Sequence, residues 1–111
     1  MDVNSSPYRL VMTTIGTQEQ AQALAEQLVN ARLAACVNIL PRMQSIYRWQ
    51  GKLEHGDEHL LLIKTRAERV DEVVNTIKAN HPYELPEIIA VPIDGGYAPY
   101  LTWITEAVSP S

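Results

Sequence analysis

Residues 36–63, CVNILPRMQSIYRWQGKLEHGDEHLLLI, contain two long extended runs separated by polar turn residues. The apolar run 36–40 stops at a proline, and beyond it apolar and polar side chains alternate with the period of a β-strand. This pattern predicts one long or bulged strand. Gly51 and Gly56-Asp57 are two candidate turns, and Leu60–Ile63 forms the core of the next strand. We therefore expect an antiparallel hairpin whose arms exceed the average strand of about 5 to 6 residues, so that part of it projects beyond the sheet.

A strand and a helix are predicted before this hairpin. Tyr8–Thr14 is rich in β-branched and aromatic residues, which favours a first strand. Thr17 and Gln20 have the spacing of a capping box, and apolar residues recur at helical spacing after them. The first helix is therefore expected to begin just after Thr17.

The elements after the hairpin repeat this order. Thr65 and Glu68 again have capping-box spacing, and the apolar positions of the second helix end at Pro82. Ile88–Val91 predicts a buried strand, and Pro92 indicates that its far end lies on a sheet edge. A short last helix follows, with a proline near its first turn. The order β-α-β-β-α-β plus a terminal helix predicts an α+β, ferredoxin-like sandwich.

The composition is that of one small globular domain. The chain has 111 residues, of which 46% are hydrophobic and 20% charged, so it can bury one core. We expect a single domain over residues 8–108, with flexible termini at 1–7 and 109–111. Nine basic against thirteen acidic residues give a net charge of -4, which disfavours a nucleic-acid partner.

The sequence also predicts where the protein resides. Its longest apolar runs are much shorter than the roughly 20 residues that cross a bilayer, and its start has no charged-then-apolar leader. The lone cysteine, Cys36, cannot form an intrachain disulfide. These features predict a cytoplasmic protein with no membrane partner.

Signatures of catalysis are mostly absent, which favours a protein that is not an enzyme. The chain has no GxSxG, HExxH, GxxxxGK or CxxC motif. A small enzyme using Cys36, or His81 with Glu84, stays an alternative. Cys36 lies within LAACV, however, where a free cysteine usually behaves as a small buried hydrophobe.

Two other groups of side chains could bind a ligand. His55, Asp57 and His59 crowd into the predicted second turn, which favours a solvated polar turn, with a metal site as the alternative. The segment 81–87, HPYELPE, holds an imidazole and two carboxylates between two prolines that restrict its backbone. A structural interpretation is also open here, in which Pro82 ends the second helix and its neighbouring imidazole caps the helix carbonyls.

Five segments form a further pattern along the chain. They are RLAACVNI (32–39), SIYRWQGKLE (45–54), LLLIKT (60–65), HPYELPEIIA (81–90) and YLTWI (100–104). In this order they resemble the CutA family of divalent-cation tolerance proteins. The resemblance implies a fold similar to the nitrogen-regulatory P-II proteins and a homotrimer in which the long hairpin engages neighbouring subunits. It implies a role in tolerance of copper and other divalent cations, with weak metal binding; the alternative is a P-II-like module for a small ligand or a protein.

The resemblance also implies candidate site residues. Cys36 and His81 match positions connected with copper in bacterial members, and Glu84 is a nearby carboxylate. Thr13 and Asn80 stand where such members can have a cysteine and a second histidine, so this chain offers fewer soft ligands. The alternative metal ligands are His55 and His59. We also expect a ligand cleft between subunits, lined by Tyr83, Glu87, Trp49 and Lys64.

Overall fold

The computed structural model describes residues 6–110 of the chain, and the flexibility predicted for residues 1–5 and 111 lies outside the described residues. The described elements are β1 (Tyr8–Ile15), α1 (Gln18–Asn30), β2 (Cys36–Trp49), β3 (Lys52–Arg66), α2 (Val70–Asn80), β4 (Ile88–Pro92) and α3 (Ala98–Ala107). The order of these elements confirms the predicted α+β fold with its terminal helix. A short 3-10 turn, Ala67–Arg69, leads into α2.

The four strands form one antiparallel sheet in the order β2-β3-β1-β4. Strand β4 lies at an edge of the sheet, which confirms the prediction made from Pro92. Strand β1 pairs with β3 from Tyr8 opposite Arg66 to Ile15 opposite His59. Beyond Ile15, the remaining part of β3 pairs only with β2, which confirms that the hairpin continues past the rest of the sheet.

One face of the sheet carries the main core. Helices α1 and α2 pack there, and the fully buried side chains on both sides of this contact include Val11, Leu28, Leu61, Ile63, Val73 and Ile77. Helix α3 joins a smaller cluster around Ile104 and Val108. Successive side chains of a strand point to opposite faces, so the residues between the core positions lie on the other side.

We call that other side of the sheet the open face. Its apolar members are Leu10, Met12, Leu40, Leu60, Leu62, Ile89 and Val91. The prediction that Ile88–Val91 is buried is wrong for a single chain, because 49% of Ile89 and 39% of Val91 are exposed. No helix of the described residues covers these two side chains, which lie on the edge strand.

The hairpin contains the predicted bulge. Leu40 pairs with Leu60 and Met43 with Glu58, so two residues of β2, Pro41 and Arg42, stand opposite one residue of β3. A bulge tolerates the proline because a residue outside the regular ladder does not need a backbone N–H donor. Arg42 has the left-handed backbone angle φ 62°.

The two predicted turns of the hairpin have different outcomes. Gln50 and Gly51 form the turn, with φ angles of 50° and 80°, and positive φ at both residues is what a tight type I′ hairpin requires. The predicted turn at Gly56-Asp57 is wrong, because both residues pair with β2 inside a continuous strand. The ladder with β2, which continues before and after these two residues, outweighs the local preference of this dipeptide for a turn.

The two predicted helix caps have different outcomes. The Thr17 hydroxyl accepts a hydrogen bond from the Gln20 backbone N–H at 3.1 Å, which confirms the predicted start of α1. The predicted cap at Thr65 is wrong. Thr65 lies inside β3, fully buried, and its hydroxyl donates to the Leu33 carbonyl at 2.7 Å. Glu68 instead pairs with Arg66.

Candidate functional site

The proline loop, residues 81–87, packs against the sheet where β1 ends and β3 continues. The hydroxyl of Tyr83 donates a hydrogen bond to the Glu58 carboxylate at 2.9 Å, and only 7% of Glu58 is exposed. A Cβ atom on Gly16 would lie 3.4 Å from the Tyr83 hydroxyl, which is ordinary contact distance, so Tyr83 lies beside the residue that follows β1. The loop is therefore tied to the root of the hairpin.

His81 is held by both of its ring nitrogens. Its Nε2 atom lies 2.5 Å from the Thr14 carbonyl, and its Nδ1 atom accepts from the Tyr83 backbone N–H at 3.2 Å. This pattern requires a neutral imidazole that carries its hydrogen on Nε2. Pro82 does follow the end of α2, as predicted. The predicted capping of helix carbonyls by His81 is wrong, because the ring turns toward β1 instead.

The surroundings of Tyr83 change its acidity. Partial burial, and then the hydrogen bond to the neighbouring Glu58 carboxylate, raise the pKa of Tyr83 to about 12 from its ordinary value of 10.0. Both causes disfavour the phenolate, one by removing water and the other by adding negative charge. The link between the loop and the hairpin therefore stays protonated over the physiological range.

Cys36 lies on the open face and not in the core. Its Sγ atom is 3.9 Å from Nζ of Lys64, the residue directly opposite on β3, and the thiol is partly exposed. The predicted buried position is therefore wrong for a single chain, because Val37 and Ile39 occupy the core side of β2. Burial and the nearby Cys36 raise the pKa of Tyr100, which approaches the thiol from α3.

The polar stretch of β3 is extended, so the predicted solvated turn around His55, Asp57 and His59 is wrong. These three residues share one face of the strand, and Glu58 lies on the other. Within residues 6–110, no three His, Cys, Asp or Glu side chains are arranged to hold a metal ion. In one copy, therefore, the candidate ligands do not form a closed metal site.

The residues expected to line a ligand cleft lie in three parts of one copy. Trp49 is opposite Lys52 at the hairpin tip, whereas Lys64 is near the other end of β3. Tyr83 and Glu87 belong to the proline loop, where Glu87 is exposed like Glu84. A cleft that unites them between copies stays a prediction.

Sequence reasoning missed the contact between Glu58 and Tyr83, which are 25 residues apart in the chain. Local patterns report on neighbours along a helix or strand, and this contact depends on how far β3 extends beyond β1. The only local signal was the pair of prolines around Tyr83, which indicated a rigid loop without indicating its partner.

Comparison with known proteins matches this architecture to one family. The family model described as CutA1 divalent ion tolerance protein matches residues 9–107. The chain belongs to the CutA1 family. It is 46% identical over 97 residues to the divalent-cation tolerance protein CutA of Thermus thermophilus, which covers 87% of this chain and 94% of that protein. The crystal structure of CutA from Xylella fastidiosa superposes with a TM-score of 0.91 at 44% identity, and covers 94% of this chain and 100% of that one.

Two plant relatives are longer than this chain, and the names of several relatives give different compartments. The chain is 42% identical over 105 residues to a rice protein named CutA 1, chloroplastic, but it spans 59% of that protein and 54% of a chloroplastic CutA from Arabidopsis thaliana. An archaeal structure from Archaeoglobus fulgidus is named periplasmic. In the part of the chain that the structure describes, no helix is long and apolar enough to span a membrane.

The pKa of Tyr83 gives a prediction at high pH. The protonated phenol stabilises the fold up to about pH 10, and this contribution is lost as the pH rises toward about 12. We expect Glu58→Gln to lower the pKa of Tyr83 toward its ordinary value, because the neighbouring charge is removed while partial burial remains. Phenolate absorbance, recorded as the difference from Tyr83→Phe, measures this value. Glu87→Gln is the control, and an unchanged titration in Glu58→Gln would contradict the assignment.

Proposed function

We propose that this CutA1 family member acts in divalent-cation tolerance as a homotrimer in the cytoplasm, without catalysis. Membership of the family, over residues 9–107, supports the tolerance function. The same match does not favour the alternative of a P-II-like signalling module. The open face supports the assembly.

The open face exposes apolar side chains to water, which is unfavourable. Leu40 is 43% exposed and lies on the same face as Ile89 and Val91. Contiguous apolar surface of this kind usually marks an interface. Strand β4 also leaves one edge unpaired, and a closed ring of three copies covers such edges without open-ended growth.

Copper or another divalent cation is the ligand that we propose for the assembly. One copy does not provide a fitting site, because Cys36 contacts Lys64 on the open face and His81 uses both nitrogens within its own chain. Glu84 is exposed on the proline loop. Binding through these three residues therefore needs ligands from more than one copy and the loss of a hydrogen bond at His81, so we expect weak affinity. His55 and His59 are the alternative ligands.

The arrangement of the reactive groups also supports a function without catalysis. An enzyme built on Cys36, or on His81 with Glu84, needs the nucleophile or base to be free in a shared cleft. In one copy Cys36 and His81 lie in different places, and the imidazole already donates to the Thr14 carbonyl and accepts from a backbone N–H.

If copies assemble through the open face, a charged side chain introduced there should dissociate them. We expect the wild-type protein to have three times the mass of one chain, and Val91→Asp to dissociate it, because the carboxylate would be desolvated in the interface. Val29→Asp is the matched control: Val29 is 41% exposed on α1, against 39% for Val91. Sedimentation at micromolar concentration measures both masses. A wild-type monomer, or an intact trimer in Val91→Asp, would contradict the proposal.

If Cys36 and His81 bind the metal, replacing either residue should reduce the affinity for Cu²⁺. Calorimetric titration of the assembled protein with Cu²⁺ should show weak binding, and weaker binding with Zn²⁺, because a given set of nitrogen, oxygen and sulfur ligands generally binds Cu²⁺ more tightly than Zn²⁺. Cys36→Ser and His81→Ala should each weaken Cu²⁺ binding, whereas Glu19→Gln, at an exposed position in the first turn of α1, should leave it unchanged. If both substitutions leave Cu²⁺ binding intact and His59→Ala abolishes it, these two residues are not ligands.

A further inference from the structure

A cavity of about 370 Å³ lies between the end of α3 and the turn that leads into α2. Its polar lining and its rim include Arg66, Glu68, Arg69, Thr105, Ser109 and Pro110. We infer that this cavity binds a small phosphomonoester, whose phosphate group takes the place of the Glu68 carboxylate. The inference goes beyond the proposed tolerance function, because none of these residues is a proposed metal ligand.

The two arginine side chains of the cavity are held by other groups of the protein. Nη1 of Arg66 donates to the Thr105 hydroxyl at 2.8 Å, and its guanidinium lies 5.3 Å from the centre of the Tyr8 ring. Nε and Nη2 of Arg69 donate to the Val108 carbonyl at 3.0 and 2.8 Å. Only 23% and 17% of these two side chains are exposed. Both guanidinium groups are therefore oriented before a ligand binds.

Both positive charges act on one carboxylate, that of Glu68. Nε of Arg66 donates to Oε2 of Glu68 at 2.7 Å. This hydrogen bond, a second one from the backbone N–H of Glu68 itself, and the charges of Arg66 and Arg69 all lower the pKa of the Glu68 carboxyl. The carboxylate therefore occupies a position at which both arginines stabilise an anion.

Glu68 can leave this position at little cost. Its side chain is 60% exposed, and an ion pair with an exposed partner contributes little to stability. Glu72, which pairs with Arg69, is equally exposed. Among residues 6–110, Nη2 of Arg66 has no hydrogen-bond acceptor, so the guanidinium has donors that Glu68 does not use. An anion with more acceptors can therefore displace the Glu68 carboxylate.

These features favour a phosphate group over a carboxylate. A phosphomonoester carries close to two negative charges above neutral pH and presents three strong acceptor oxygens. Guanidinium groups match this geometry through parallel hydrogen bonds. The volume of the cavity is at the lower end for small-molecule sites and exceeds that of a phosphate ion. The remaining space, beside Pro110, suits a small organic group on the phosphate.

The test is a calorimetric titration of the assembled protein with phenyl phosphate at pH 8, in a buffer free of metal and phosphate. We expect saturable binding that falls about tenfold in Arg66→Gln, because a hydrogen bond between charged groups is lost. Glu68→Gln should instead strengthen binding several-fold, because it removes the competing carboxylate. Lys78→Gln is the matched control, since it also removes one positive charge but lies in the last turn of α2, outside the cavity.

Other ligands and the opposite signs of the two substitutions make the outcome decisive. Inorganic phosphate lacks the organic group and benzoate lacks the second charge, so both should bind more weakly than phenyl phosphate. Equal binding of either compound, unchanged binding in Arg66→Gln, or weaker binding in Glu68→Gln would overturn the inference. Glu68 is exposed, so Glu68→Gln tests it even if Arg66→Gln fails to fold. The mass and the Cu²⁺ titration of Glu68→Gln report separately on the proposed function.

Discussion

The sheet of this protein is apolar on both faces, but only one of them is covered by two helices, α1 and α2, whereas α3 covers just the end of the other near Tyr8 and Cys36. Val11, Leu61 and Ile63 are fully buried under α1 and α2, whereas Ile89 and Val91 point from the edge strand to the other face. Burial of apolar surface is the dominant favourable contribution to folding, so a sheet with one mostly uncovered apolar face is incomplete as a single chain. The proposed assembly and the exposure of Cys36 in one copy both depend on this asymmetry.

A second feature follows from strand length. Strand β1 has 8 residues and β3 has 15, so the distal part of β3 pairs only with β2 and leaves the sheet. The space beside β3 is taken by the proline loop, which Tyr83 ties to Glu58. The bulge lies at the same level, opposite His59. The unequal strands therefore produce the root of the hairpin and the position of the Glu58 carboxylate that Tyr83 contacts.

The sequence predicted elements whose pattern is local and strong. The order of strands and helices, the Thr17 cap, the bulged strand and the edge position of β4 are all confirmed. Predictions from the sequence were wrong where contacts between distant parts of the chain override the local preference of a few residues. Gly56-Asp57 resembles a turn but is held in a ladder, and Thr65 resembles a cap but donates to the Leu33 carbonyl across the core. The bond between Glu58 and Tyr83 depends on relative strand length, for which no local pattern gives a signal.

The central claim is that copies of this chain cover the open face in solution. Hydroxyl-radical labelling followed by mass spectrometry tests it on the unmodified protein, since labelling follows the exposure of each side chain. Val29, Ile89 and Val91 are exposed by 41%, 49% and 39% in a single chain. If the open face is covered, Ile89 and Val91 will be labelled several-fold less than Val29, and the difference will disappear in denaturant. Similar labelling of all three in the native protein would contradict the account.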